Sequence, residues 1–417
     1  MKSTMLLLIA GVMPLAALAE TVQFEPADDI QFKVQEALIL AEPGTTFEFA
    51  EGVYKFNMGL SLDVDNVTIR GAGMDKTILS FKEQDAGAEG LFVTSDNVTL
   101  EDFAIEDTKG NAFKSNAVEN LVLRRVRTEW TGGPKETNGA YGLYPVSSKN
   151  VLIDGCVAIG ASDAGIYVGQ TERVIVRNSR AEYNVAGIEI ENCHHADVYN
   201  NVATNNTGGM LVFDLPGLPM QRGRDVRVFQ NKFYDNDTPN FAPKGNIVGK
   251  VPQGTGVMVM SNSNVHVFEN EIYGHRTYNM LICSYLSSGV ELKDPNYYPY
   301  PEGINVRDNT FGKGGWQPTG ELAEAAALAL GGKMPDIVWD GVVNPEHDGG
   351  EMPAEARIYI ENNKKDGEGD VTFADLDAAA LVLSKGGDAS KIEIKHDLAA
   401  HAGSTPQPEP VDLSGLE

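Results

Sequence analysis

A repeat of 22 residues constrains this chain more than any other feature. The segments DAGIYVGQTERVIVRN from Asp163 and VAGIEIENCHHADVYN from Val185 superpose at an offset of 22: Gly165, Ile166 and Val168 fall on Gly187, Ile188 and Ile190, and Val176 on Val198. A unit this short cannot bury an apolar core alone, so successive units have to stack and share one. The residue between the matched apolar positions is free to vary, being Tyr167 in one copy and Glu189 in the other.

The repeat extends in both directions. Its second apolar anchor recurs at Ile69, Leu100, Leu123, Ile153, Val176, Val198, Val228, Val267 and Val306, at intervals of 31, 23, 30, 23, 22, 30, 39 and 39. These intervals are a base of 22 to 23 residues plus insertions. Around each anchor, as in NVTIRG, NVTLED, NLVLRR, NVLIDG and NVHVFEN, apolar and polar residues alternate with the period of a strand. A strand that returns one rung higher every coil, with no helix between, is predicted to build an all-β, single-stranded parallel β-helix. Asn201, Asn231, Asn270 and Asn309 follow their anchors by three residues. Asparagine tolerates the left-handed backbone of a sharp turn, and its amide can bond to the next asparagine in a stack. These residues are read as structural.

The ends suit a capped solenoid. Asp28 to Ala41 has helical spacing at Ile30, Val34 and Leu38. TGELAEAAALALGG reads as a helix with Thr319 as its cap and Gly331 as its terminator, and DIVWDG and ARIYIENN as final strands. The first residues, with Lys2, an apolar run and Ala17-Leu18-Ala19, read as a secretory signal peptide. The expected divisions are a signal peptide (1–19), an N-terminal cap (20–45), the β-helix (46–311), a C-terminal extension with a helix and last strands (312–400), and a proline-containing disordered tail (401–417). Export to the periplasm or beyond is expected, with no membrane span.

SDAGIYVGQ, NVAGIEIEN, NTGGMLVFDLPGLP, NFAPKGN and VPQGTGVMVM resemble bacterial parallel β-helix repeat proteins, a family without an established activity. With the asparagine ladder and the opening FEFAEGVYKFNMGLSLDVDNVTIRGAG, the frame resembles the wider pectate-lyase-like right-handed β-helix superfamily. That resemblance implies a right-handed coil and, on one outer face, a site for a sugar chain. The superfamily includes lyases, epimerases and hydrolases of polysaccharides as well as non-catalytic spikes.

The free slot, followed from coil to coil, is Phe92, Lys114, Tyr144, Tyr167, Glu189, Leu211, Met258 and Leu281. Rungs lie about 4.8 Å apart, so these side chains should form an outward column. The longest insertions flank the same strand and would wall it into a groove. Proton abstraction beside a uronate carboxylate needs a base, an acid and a neutralising cation. Lys114 and Tyr167 are the candidates, with Tyr144 against the sugar. Glycoside hydrolysis needs two carboxyls, for which Glu189 with Asp163, or Asp214, is the natural choice. Leu211 and Trp130 are expected to line the groove.

The remaining features narrow the partners. A formal charge of −26 disfavours nucleic acid and anionic membranes. Cys156, Cys193 and Cys283 allow at most one disulfide and read as buried thiols. His194 and His195 lack companion ligands, and Arg124, Arg125 and Arg127 read as surface charge. KKDGEGDVTFADLD resembles a calcium loop, but Lys364 stands at the first ligand position, so no cofactor is expected, with calcium as the alternative. The expected partner is a polysaccharide or oligosaccharide, met either as substrate or by a non-catalytic binding face. A protein-binding envelope scaffold is the alternative. The oligomeric state is left open.

Overall fold

The computed structural model describes residues 20–347, 352–376 and 394–417; the segment expected to be a signal peptide, residues 1–19, lies outside them. The chain winds as a three-sided parallel β-helix. One ladder runs through the anchors: Ile69 pairs with Leu100, Leu100 with Leu123, Leu123 with Ile153, Ile153 with Val176, and Val176 with Val198. Val198 then pairs with Val228, Val228 with Val267 and Val267 with Val306. Every predicted rung is present. The ladder also extends beyond them, to Phe47 below and Ile360 above.

The side that carries the candidate site is a sheet of eleven parallel strands, from Met58–Leu62 at one end to Phe373–Asp375 at the other. Within each strand the alternation is literal. Ile166, Val168, Ile188, Ile190, Met210 and Val212 enter one continuous interior cluster with the anchors. Their neighbours point out. The cluster is closed at one end by the helix Ile30–Leu40, which buries Ile30, Val34 and Leu38 against it.

Two asparagine ladders tie the turns. Asn201, Asn231, Asn270 and Asn309 bond in series, each Nδ2 reaching the next Oδ1 at 2.9–3.0 Å. A second ladder links Asn184 to Asn206 and Asn206 to Asn236, and ends on His275. The ladder asparagines are not themselves the left-handed residues. That conformation falls on the preceding position, with φ of 56° at Asn200, 56° at Gln230, 57° at Glu269 and 56° at Asp308. The second ladder also explains the repeated glycine before the apolar pair, because a Cβ at Gly165 would lie 2.5 Å from the Asn184 amide.

Three expectations change. The second helix, Glu321–Ala329, is preceded by Gly320 at the cap position; Thr319 instead bonds Thr277 and the Gln253 carbonyl. Trp130 does not line a groove. It is buried in the interior cluster, with Nε1 donating to the Thr108 carbonyl at 2.7 Å. The tail is not free. Thr405 bonds Asn305 and His266, the Val411 amide donates to Asp197, and Leu413 packs on Val122, Leu152 and Ile175. Arg124 and Arg177 hold Leu416 and Glu417. Pro406, Pro408 and Pro410 suit an extended segment that donates few backbone bonds, so side chains of the ladder hold it instead.

All three cysteines are buried and free. Among the described residues no helix is long and apolar enough to cross a membrane.

Candidate functional site

The register assembles the expected column. Phe92 pairs with Lys114, Lys114 with Tyr144, Tyr167 with Glu189, Glu189 with Leu211, Leu211 with Met258, and Met258 with Leu281. Leu143 opposite Ile166 sets Tyr144 over Tyr167. The column is not an open floor, however. From Tyr167 onward it lies beneath the insertions, and Leu211, Phe213, Val248, Val251, Leu281 and Tyr285 share a second buried cluster outside the sheet. Leu211 is 0% exposed and is packing rather than a lining residue.

Lys114 remains partly open. Its Nζ lies 3.8 Å from a Glu89 carboxylate oxygen and 5.2 Å from the centre of the Tyr144 ring. Tyr141, Tyr144 and Tyr167 touch one another, with ring centres 4.3, 4.7 and 5.0 Å apart.

Beside these rings the sheet carries carboxyls. Glu189 and Glu191 alternate outward from the strand Ala186–Glu191, and Asp163 ends the turn before Ala164–Gly169. The Tyr167 hydroxyl donates to Glu191 Oε1 at 2.6 Å. Asp163 Oδ2 receives longer contacts, 3.3 Å from Asn246 Nδ2 and 3.5 Å from the Tyr141 hydroxyl. Glu189 is 1% exposed, and its Oε2 has no hydrogen-bond partner. Asp214 accepts from the Gly223 amide at 2.8 Å and is wholly buried, which removes it from sugar contact.

Burial dominates the electrostatics. It pushes the Asp163 and Glu191 carboxyls up to about 7 each, although their tyrosine and asparagine donors pull the other way. Burial, then the charges of Glu191 and Asp163, raises Glu189 well above the carboxylate range, so Glu189 holds its proton. Asp214 is raised to about 6, again mainly by burial. Burial and the nearby carboxylates also raise Tyr141 and Tyr167, so both are hydrogen-bond donors and not bases.

Asp163 and Glu191 face a cleft of about 270 Å³ whose other walls are Tyr141, Leu215, Pro216, Leu218, Asn246 and Ile247. A neighbouring cleft of about 400 Å³ shares Leu215, Pro216, Asn246 and Ile247 and adds Lys244, Lys250 and Tyr285. The walls are the insertions after Phe213 and before Thr255. Glu191, Tyr141 and Asn246 were not singled out in the sequence. Glu191 had a signal, since it stands two residues past Glu189 on the same alternating face. Tyr141 and Asn246 had none. Among the described residues no group of three or more His, Cys, Asp or Glu is disposed to hold a metal ion.

Residues 59–215 match the family described as a right handed beta helix region, and the winding is that of the right-handed parallel β-helix. No curated protein matches the chain by sequence. Among solved structures, the chain is similar to the A-module of the Azotobacter vinelandii mannuronan C-5 epimerase AlgE4, at 15% identity and a TM-score of 0.53, covering 84% of this chain and 93% of that one. The A-module of the same organism's AlgE6 epimerase gives 15% and 0.49 over 86% and 96%. An alginate lyase from a Paenibacillus strain gives 14% and 0.43 over 85% and 98%.

Proposed function

We propose that the protein is an exported glycoside hydrolase that takes a polysaccharide across the cleft, with Asp163 and Glu191 as its working carboxyls. The observation that carries this reading is the pair itself: two carboxyls raised to about 7, both lining one cleft otherwise walled by tyrosine, asparagine and apolar groups. At neutral pH such a pair supplies one protonated and one ionised member, as glycosidic cleavage requires. The short bond from Tyr167 favours the ionised form of Glu191, which makes it the nucleophile or base. Asp163, with only long contacts, is the acid that protonates the leaving oxygen. Glu189 lies behind both as a buried neutral group rather than a reacting one.

Elimination or epimerisation at a uronate is less well supported. Either reaction needs a positive charge against the sugar carboxylate, and no lysine or arginine stands on the walls of this cleft. Lys114 has Glu89 as its partner. The likeness to a polysaccharide-modifying module supports a polymer as ligand and is silent on the reaction.

The test is a screen of residues 20–417 against neutral, amino and uronate polysaccharides, following both reducing ends and unsaturated products. New reducing ends that disappear in Glu191→Gln and Asp163→Asn support the reading. Unsaturated products would replace it with a lyase. Binding without turnover would leave a non-catalytic groove.

A further inference from the structure

We propose that the sugar unit held over Asp163 and Glu191 carries an ammonium group, so that the preferred ligand is a glycan with free amines. The inference rests on the reading of this cleft as the sugar site. It follows from three features of the cleft and the groups packed around it.

The first is charge. The cleft presents two carboxyls and no lysine or arginine on its walls, while both lysines of the neighbourhood, Lys244 and Lys250, line the adjoining cleft. A chain of formal charge −26 draws cations towards such a mouth and repels polyanions.

The second is the aromatic wall. Three tyrosine rings in mutual contact stand beside the carboxyls, and Tyr141 belongs to the cleft itself. Ring faces combined with carboxylates are the surroundings an ammonium favours. The same face already holds one: Lys114 Nζ sits 5.2 Å from the Tyr144 ring centre, 5.9 Å from that of Phe92, and 3.8 Å from Glu89. A ligand amine over Tyr141 would repeat that arrangement one coil further along.

The third is a crowded carboxyl cluster. Glu189 is 1% exposed, its Oε2 has no partner, and the charges it feels are those of Glu191 and Asp163, which line the cleft. Like charges crowded in a buried site disfavour one another, and a cation held by Glu191 and Asp163 relieves that repulsion. Binding an ammonium should therefore also release protons from the carboxyl group cluster.

The experiment is isothermal titration of the protein with fully deacetylated β-1,4-glucosamine oligomers, their N-acetylated counterparts and oligogalacturonate at pH 6 to 7. The expected result is about tenfold or greater preference for the free amine, with ring and carboxylate each contributing. Heats should vary with the ionisation enthalpy of the buffer, reporting proton release, and affinity should weaken with salt. Tyr141→Leu and Glu191→Gln should each reduce the preference; Asp163→Asn is the second carboxyl variant if Glu191→Gln fails to fold. Equal binding of amine and N-acetyl oligomers, or tighter binding of the uronate, overturns the proposal. Cleavage of a neutral glycan with no amine preference would leave the hydrolase reading standing and this one refuted. Amine-selective binding without cleavage of any glycan would do the reverse.

Discussion

Tyr167 reaches Glu191 by lying across a glycine. Its hydroxyl is 2.6 Å from Glu191 Oε1, and a Cβ built on Gly169 would stand 2.3 Å from that hydroxyl and 2.4 Å from the ring. Gly169 occupies the outward position that Glu191 and Phe213 fill on the next two coils. The missing side chain is thus the space the ring uses. Gly169→Ala should expel the ring, cost roughly 1–3 kcal/mol through overpacking, and remove the Glu191 bond. Tyr167→Phe should keep the ring and lose only the bond. Both variants should then shift the pH profile of turnover upward, since Glu191 loses the donor that favours its ionised form. Thermal melts and pH–rate curves on the pair check this. A profile unmoved in Tyr167→Phe would mean that the hydroxyl does not tune Glu191.

The raised carboxyls give stability a direction in pH. Asp163 and Glu191 ionise near 7 when folded and near ~4 when unfolded. Between these values the folded state binds more protons, so this cluster makes stability fall as pH rises from about 4 to 7 and stay low above that. Glu191→Gln removes its share of the penalty. Relative to the parent it should be nearly neutral at pH 4 and more stable by roughly 3–4 kcal/mol at pH 8. Urea melts across this range measure the difference. A variant less stable at pH 8 than the parent would refute the buried, self-repelling cluster.

The two asparagines of the VYNN segment should behave differently. Asn200 is exposed with φ of 56°, whereas Asn201 is buried and bonds both Asn231 and the Val176 carbonyl. Asn200→Ala faces only the left-handed backbone, about 1 kcal/mol. Asn201→Ala orphans buried partners, at roughly 2–3 kcal/mol. Denaturant midpoints for the two single variants decide between a turn-only role and a ladder.

Much of this was legible in the chain because strand alternation and coil length are strictly periodic. The anchors and the outward column needed nothing more. Alternation states which way Glu189 points but not what lies over it, and the covering segments around Val248, Tyr285 and Tyr297 have no period to read. Hence an expected groove floor proved to be buried packing at Leu211 and a desolvated acid at Glu189. Glu191 obeys the same alternation, but a column of one outward residue per strand runs through Glu189 and leaves it out. Which asparagine of a pair turns the chain and which stacks depends on one backbone angle that composition does not encode. Trp130 fell in an insertion by length, yet it reaches back into the core.

The tail left a trace of its own. The outward position on the anchor ladder is apolar at three successive rungs, Val122, Leu152 and Ile175, where a solvent-facing column should be polar. Leu413 covers them, and higher rungs turn polar where Val411 and Thr405 need partners in Asp197 and Asn305. Leu413→Ala should therefore cost roughly 2 kcal/mol. Deleting residues 403–417 should lower the melting temperature and expose an apolar stripe that binds a hydrophobic dye. A synthetic peptide of residues 403–417 added to the shortened protein should reverse both effects, because the segment is held by side chains and not by continuing the coil. An unchanged melt and no dye binding on deletion would show that the tail contributes nothing to the stack.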